Sequence, residues 1–400
     1  MKITSRFLTL FLLFTGYVLV YIDKTVIGFA LLPIRDEFHL TPQQVGYISG
    51  IFFLSYALSQ FPAGWLNDRL GYRRVLILSL SIVALCALLF GWLGTSLSLL
   101  MVFRFMAGIG HSGYPSASAK AVSSNFAVHH RTFAQSVLLS TAGLAMAVGP
   151  LLAVWALHRT DWHHAFLILG GLVAIAAVSM GLLLPAAVLP PDGTPRIARA
   201  SLWHSLRQPL FWQLFMANFL INIPLYSLLS WLPSFLVQRD HLDLPTIGGI
   251  MSLSGIGCCL SSLASGWFVG RYMAGREPWV ICVATLVAAV AMMAVYVWDS
   301  TMVTMWMLFL CNIAMICAFV TCFTLPMKRF PPDMIGSVIG LLNAGGVLGG
   351  FVGPVAMGYL LAAGEGSYLT SFLFLMLSTV LAGLILLPNQ QGQCCQSIQE

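Results

Sequence analysis

The sequence predicts an all-α polytopic membrane protein of twelve transmembrane helices, arranged as two six-helix bundles. Three features carry that expectation: a composition too apolar for a water-facing surface, twelve apolar stretches of membrane-spanning length, and punctuation that recurs in the second half of the chain. Of 400 residues, 59% are apolar and only 8% are charged, and the mean hydropathy is +0.89. A soluble globule carries about a quarter charged residues, so most of this exterior must face lipid. A net charge of +6 would suit a nucleic-acid partner in a soluble domain, but the basic residues gather on no single face, and nucleic-acid binding is excluded. The nine cysteines form no CxxC or Cys/His metal spacing, and seven of them (Cys86, Cys258, Cys259, Cys282, Cys311, Cys317, Cys322) lie in apolar runs as core filler. No metal and no cofactor is expected.

A helix needs about 20 residues to cross ~30 Å of hydrocarbon. Apolar stretches that meet this cover 7–32, 43–66, 74–94, 98–120, 133–156, 163–185, 210–236, 246–269, 278–297, 302–325, 335–362 and 368–388. Lys2 and Arg6 flank the first like the start of a signal peptide, but the apolar run continues past Asp23 and Lys24 to Pro33 without a small-residue cleavage site, so it is read as a retained helix. Lys and Arg residues outside the spans divide fourteen to three between alternate loops, with only Arg35, Arg159 and Arg239 on the poorer side. Cytoplasmic loops accumulate positive charge, so both termini are expected in the cytoplasm.

The two halves repeat. Leu32-Pro33 returns as Leu232-Pro233, Gly64-Trp65 as Gly266-Trp267 and Gly149-Pro150 as Gly353-Pro354, at offsets of 200, 202 and 204 residues. The expected organisation is a bundle over 1–185, a polar cytoplasmic linker over 186–209, a second bundle over 210–388 and a cytoplasmic tail over 389–400. Repeated halves joined in this way are a recurring plan of secondary transporters, whose substrate site lies near the midplane.

Between the second and third spans the chain reads Gly64-Trp-Leu-Asn-Asp68-Arg69-Leu-Gly71-Tyr-Arg73-Arg74, and a degraded copy runs from Gly266 to Arg276. This loop resembles the signature loop of the major facilitator superfamily. The resemblance covers essentially the whole chain and implies that fold, with the loop's Asp and Arg residues pairing at a cytoplasmic gate.

Ionisable residues inside a span are costly and mark function by default. Four stand deepest: Asp23, Lys24, Arg104 and His111. At 1.5 Å rise per residue, Asp23 and Arg104 lie at the same depth, each about 24 Å from the cytoplasmic end of its span, and could pair. Arg104, Gly108 and His111 share one face of the fourth span, which puts His111 two turns deeper, where an imidazole could carry a proton. Tyr17, Tyr21 and Lys24 share a stripe on the first span, while Asp23 is rotated about 100° from Lys24. Lys24, as a cation without a fixed partner, is then the candidate for an anionic substrate group. The alternative is a closed structural pair of Asp23 with Lys24 or Arg104. Gln60, Tyr114, Asn218, Asn222, Tyr226 and Asn343 are further candidate lining residues, of which Asn218, Asn222 and Tyr226 recur at i, i+4 and i+8 beside Pro224.

Tyr21-Ile-Asp23-Lys24 together with Arg104-Phe-Met-Ala-Gly108-Ile-Gly110-His111-Ser-Gly-Tyr114-Pro115 resembles the anion:cation symporter branch of the same superfamily. That branch typically reads Tyr-x-Asp-Arg in the first span. The resemblance implies proton coupling at Asp23 and organic-anion binding at Lys24. Two departures stand out: Lys24 replaces the usual Arg and loses its bidentate fork, and His111 occupies a position that is commonly acidic. The expected function is proton-coupled symport of a small organic anion, a sugar acid or other carboxylate, by a monomer in a bacterial inner membrane.

The rival is a proton-driven exporter of amphiphilic compounds or a metal chelator such as a siderophore, because Gly149-Pro150 partly resembles the antiporter motif. Enzymatic readings are weaker. Gly108-x-Gly110-x-x-Gly113 matches a dinucleotide fingerprint only formally, since it lies inside a span. Gly110-His111-Ser112-Gly113 looks like an intramembrane serine-protease motif, against which the repeated spans argue. His129-His130 and His163-His164 lack further ligands and read as loop residues.

Overall fold

The structure is a computed structural model that describes residues 3–126, 128–185, 206–273, 275–329 and 335–387. It contains twelve helices: α1 (Ile3–Glu37), α2 (Pro42–Leu70), α3 (Tyr72–Leu93), α4 (Leu97–Asn125), α5 (Val128–Arg159), α6 (Trp162–Leu183), α7 (Pro209–Asp240), α8 (Leu244–Tyr272), α9 (Glu277–Val297), α10 (Thr301–Arg329), α11 (Ile335–Ala363) and α12 (Leu369–Leu384). Each expected span coincides with one of them. Most helices extend a few residues beyond the apolar stretch, and α12 stops four residues short of the expected 388. Among the described residues, nine of these helices are individually long and apolar enough to cross a membrane. Of the other three, α2 and α4 are diluted by polar residues such as Gln60, Arg104 and His111, and α12 has only 16 residues. The linker expected over 186–209 lies outside the described residues apart from 206–209, and so does the tail.

Local signals set the helix boundaries. Thr41 opens α2 with a capping box, its hydroxyl accepting from Gln44 N–H while the Gln44 side chain accepts from Thr41 N–H. Ser96 caps α4 and Asp161 caps α6 in the same sense. The turn from α2 to α3 is made by one residue, Gly71, at φ +78°, where any side chain would be strained.

The described residues fall into two compact units, one within Met1–Thr194 and Ser230–Ile256, the other within Pro195–Leu229 and Gly257–Glu400. In the first, α3 packs on α6 and α4, α2 on α4, and α1 on α5. Ser230–Ile256 joins this unit at α5, where Gly255 lies against the Met146–Ala147 backbone and Gly248 against Val154. In the second unit α9 packs between α10 and α12.

Tryptophan marks the membrane boundaries. Among the described residues, eight tryptophans stand at helix ends and are more than half exposed: Trp65, Trp212, Trp267 and Trp279 at ends on the Lys/Arg-rich side, Trp92, Trp155, Trp298 and Trp306 at the opposite ends. Amphipathic rings collect at both membrane–water interfaces. On α9, Trp279 and Trp298 are separated by about 28 Å of helix, close to the ~30 Å hydrocarbon thickness.

Candidate functional site

The first unit buries Asp23 and Lys24 of α1 together with Arg104 and His111 of α4. Gly108 lets α2 and α4 touch at this level. A Cβ there would collide with Ser55 Oγ and the Phe52 carbonyl. Gly149 does the same for α5 against Thr25 of α1, with Pro150 next to it inside the helix.

Asp23 and Arg104 meet as their depths require, Nη1 of Arg104 lying 3.3 Å from Oδ2 of Asp23. His111 reaches the same oxygen, with Nε2 at 3.1 Å. It stands two turns from Arg104 on α4 and joins the same ion-pair cluster. Two polar atoms of this cluster, His111 Nδ1 and Arg104 Nε, are buried without a hydrogen-bond partner among the described residues.

Lys24 is buried too, but in a different environment. Its ammonium lies 4.8 Å from the ring centre of Tyr21, 4.6 Å from Tyr56 and 6.0 Å from Phe52, and it makes no hydrogen bond or ion pair among the described residues. Phe52 also lies 4.5 Å from the Arg104 guanidinium and 4.7 Å from the His111 ring. Lys24, Arg104 and His111 thus all border one phenyl ring. Neither Phe52 nor Tyr56 was among the sequence candidates. Sequence spacing shows which residues share a face on one helix, but not which face of α2 is turned to α1.

Tyr17 stacks on Tyr21 at 5.0 Å and meets Tyr114 at 4.9 Å. Tyr114 is fully buried, and its hydroxyl donates to the Leu13 carbonyl of α1 at 2.8 Å, so it borders the site only through the Tyr17 ring. Gln60 lies one turn from Tyr56 on α2 and is partly exposed.

The polar candidates of the second unit divide in two. Asn218 donates to the Leu342 carbonyl of α11 at 2.6 Å, and Asn222 donates to the carbonyl and side-chain oxygens of Asn218 at 2.7 and 3.1 Å. The Asn218 amide thus ties α7 to α11, whereas the Asn222 amide is spent within α7. Tyr226 and Asn343 are partly exposed, and the Asn343 side chain has no hydrogen bond among the described residues.

In the signature loop, Arg69 stacks on Trp65 at 4.0 Å, Arg73 donates to the Gly181 carbonyl at the end of α6, and Arg74 is exposed. Lys120 donates to the Asn67 carbonyl at 3.1 Å, while the Tyr72 hydroxyl donates to the Pro185 carbonyl at 3.2 Å and accepts from Asn125. The loop thus clamps the ends of α2, α3, α4 and α6 within one unit. Of Asp68 only the backbone is described, and its side chain lies outside the described residues. A Cβ on Gly64 would meet nothing within 4 Å. On the opposite side, Glu37 accepts from the Trp162 indole at 2.6 Å, His163 stacks on Trp162 at 3.6 Å, and His164 is paired with Asp161 at 2.8 Å.

Twelve helices in two units, with charge buried among them, are the plan of a polytopic membrane transporter. The chain belongs to the Major Facilitator Superfamily, whose sequence profile matches residues 13–354. It is 26% identical to the D-galactonate transporter of Escherichia coli O6:H1 over 90% of both chains. It is 27% identical to a probable sulfoacetate transporter of Cupriavidus necator over 96% of this chain and 93% of that one. It is 24% identical to the niacin transporter of Acinetobacter baylyi over 96% and 94%. Among solved structures, a bacterial homologue of the human lysosomal transporter Spinster, in an inward-facing and occupied conformation, superposes with a TM-score of 0.79 at 18% identity, covering 96% of this chain and 94% of that one.

Proposed function

We propose that this protein is a proton-coupled symporter that carries a small organic anion, a sugar acid or other carboxylate, by alternating access. The observation that carries the reading is the buried amino group of Lys24, which has aromatic faces and no hydrogen-bonded or ion-paired carboxylate among the described residues. A desolvated cation of this kind gains most from an anion that can enter and leave. The named relatives transport galactonate, sulfoacetate and niacin, which can all be carried as anions. Beside Lys24, the cluster of Asp23, Arg104 and His111 supplies a carboxylate and an imidazole in contact. A proton entering between them weakens the hold of Asp23 on Arg104, and that change couples the proton to rocking of the halves 1–185 and 210–388. Tyr17, Tyr21 and Gln60 border the anion from the first half, Tyr226 and Asn343 from the second. The Lys/Arg-rich loops support cytoplasmic termini, and we assign the carrier to a bacterial inner membrane.

The test is internal pH in proteoliposomes while D-galactonate, dicarboxylates, sulfoacetate or nicotinate is added outside at mildly acidic pH. Anion-dependent acidification that disappears in Asp23→Asn is the expected result. Protons moving the opposite way with a lipophilic cation or a metal chelator, and with no anion, would replace the symporter with the exporter.

A further inference from the structure

Asp23 and Lys24 are neighbours in sequence and almost equally buried, but the fold treats their charges in opposite ways. Asp23 has two partners on α4, both on one oxygen. Among the described residues, the contacts of the Lys24 Nζ are with ring faces. The titratable and charged groups around it are Tyr21 and Asp23 on α1, Tyr56 on α2, and Arg104 and His111 on α4. The carboxylate among them is already shared by Arg104 and His111. Aromatic faces return only part of the hydration that a buried ammonium gives up. The remaining imbalance can be removed in two ways: an anion arrives, or the proton leaves. Lysine can use the second route and arginine cannot.

We infer that Lys24 is itself a proton-carrying group of the transport cycle, in addition to the Asp23–His111 pair. Its Nζ lone pair takes a proton from the outer aqueous phase when the anion arrives, forming the N–H bond that completes the ammonium. The same bond breaks towards the inner aqueous phase when the anion departs. The empty carrier then resets with a neutral amine over Tyr21 and Tyr56, and no uncompensated charge recrosses the membrane. The inference rests on the reading that an organic anion seats at Lys24. It adds one proton per anion to whatever Asp23 and His111 carry.

Two measurements test it, with D-galactonate, sulfoacetate and nicotinate as the probes. The first compares wild type with Lys24→Arg, which keeps the cation and removes its titration. The expected variant exchanges labelled anion across the liposome membrane but loses net proton-driven uptake, and it takes up one proton fewer per anion bound in weakly buffered detergent solution. An unchanged proton count and unchanged net uptake would overturn the inference. The second uses wild type alone and so does not depend on the variant folding. The chain has only four lysines, so solid-state NMR of Nζ-labelled protein can observe them directly. At neutral pH one neutral amine signal is expected in the anion-free protein, converting to ammonium when a probe binds. Four ammonium signals in the empty protein would sink the inference even if anion transport is found. If no probe binds or moves, the anion reading itself falls, and the state of Lys24 in the empty protein still decides whether it sheds its proton.

Discussion

Arg104 and His111 stand two turns apart on α4 and converge on one atom, Oδ2 of Asp23, at 3.3 and 3.1 Å. Both side chains are buried, so the three groups share one charge balance. Removing a single member of such a cluster leaves the others uncompensated, which costs about 3–5 kcal/mol when a buried partner is lost. Asp23→Leu should therefore lower the melting temperature in detergent strongly, and Arg104→Met should do so as well. The double variant Asp23→Leu/Arg104→Met should melt higher than the Asp23→Leu single, because it no longer buries a guanidinium beside leucine. Additive losses in this double-mutant cycle would show that the pair is not energetically coupled.

The depth arithmetic that brings Asp23 to Arg104 was legible because an α-helix has a fixed rise, so sequence distance from a span's end gives depth. The spans were legible for a related reason, since crossing the hydrocarbon takes about 20 apolar residues. Helix rotation was not. Phe52 and Tyr56 enclose Lys24 from α2, and an apolar span carries no signal for which aromatic faces a neighbouring helix. The amides of Asn218 and Asn222 showed the right stripe but not their commitment to Leu342 and to each other, since a helix-bonding amide and a cavity-lining one have the same spacing. The tryptophan belts were readable in principle: Trp279 and Trp298 bracket one span in the sequence itself.

Steric room differs sharply between two glycines of the first unit. At Gly108 a methyl group would strike the Phe52 carbonyl, and Phe52 borders Lys24, Arg104 and His111. Gly108→Ala should destabilise by about 1–3 kcal/mol, as overpacking does, and should lower transport by displacing that ring. At Gly64 an added methyl meets nothing, so Gly64→Ala should leave the melting temperature unchanged or raise it slightly, as alanine does in a helix. If Gly108→Ala melted no lower than Gly64→Ala, the close approach of α2 and α4 would be wrong.

Asp161 lies outside the spans, where its carboxylate caps α6. The His164 backbone N–H that it accepts holds its pKa below the usual carboxylate range. A lowered folded pKa means that the carboxylate's contribution is complete above the ordinary value and fades as pH falls through the lowered one. Asp161→Ala should cost about 1 kcal/mol at neutral pH, typical of a lost cap. Asp161→Asn should retain most of that stability and flatten the acid limb of the melting curve. An acid limb identical in wild type and Asp161→Asn would remove Asp161 from the titration.

Asn218 and Asn343 allow bracing to be tested against lining in the second unit. Asn218 is 1% exposed and spends its amide on the Leu342 carbonyl, whereas Asn343, next in sequence to that leucine, is partly exposed with an uncommitted side chain among the described residues. Interhelical hydrogen bonds in membranes are worth about 0.6 kcal/mol on average and up to roughly 1.7. Asn218→Ala should therefore lower the melting temperature modestly and leave the anion's KM nearly unchanged in the protein that remains folded. Asn343→Ala should do the reverse, leaving the melting temperature in place and raising KM. The two readouts must dissociate in opposite directions. A raised KM in Asn218→Ala with an unchanged melting temperature would move that residue from the helix interface into the substrate site.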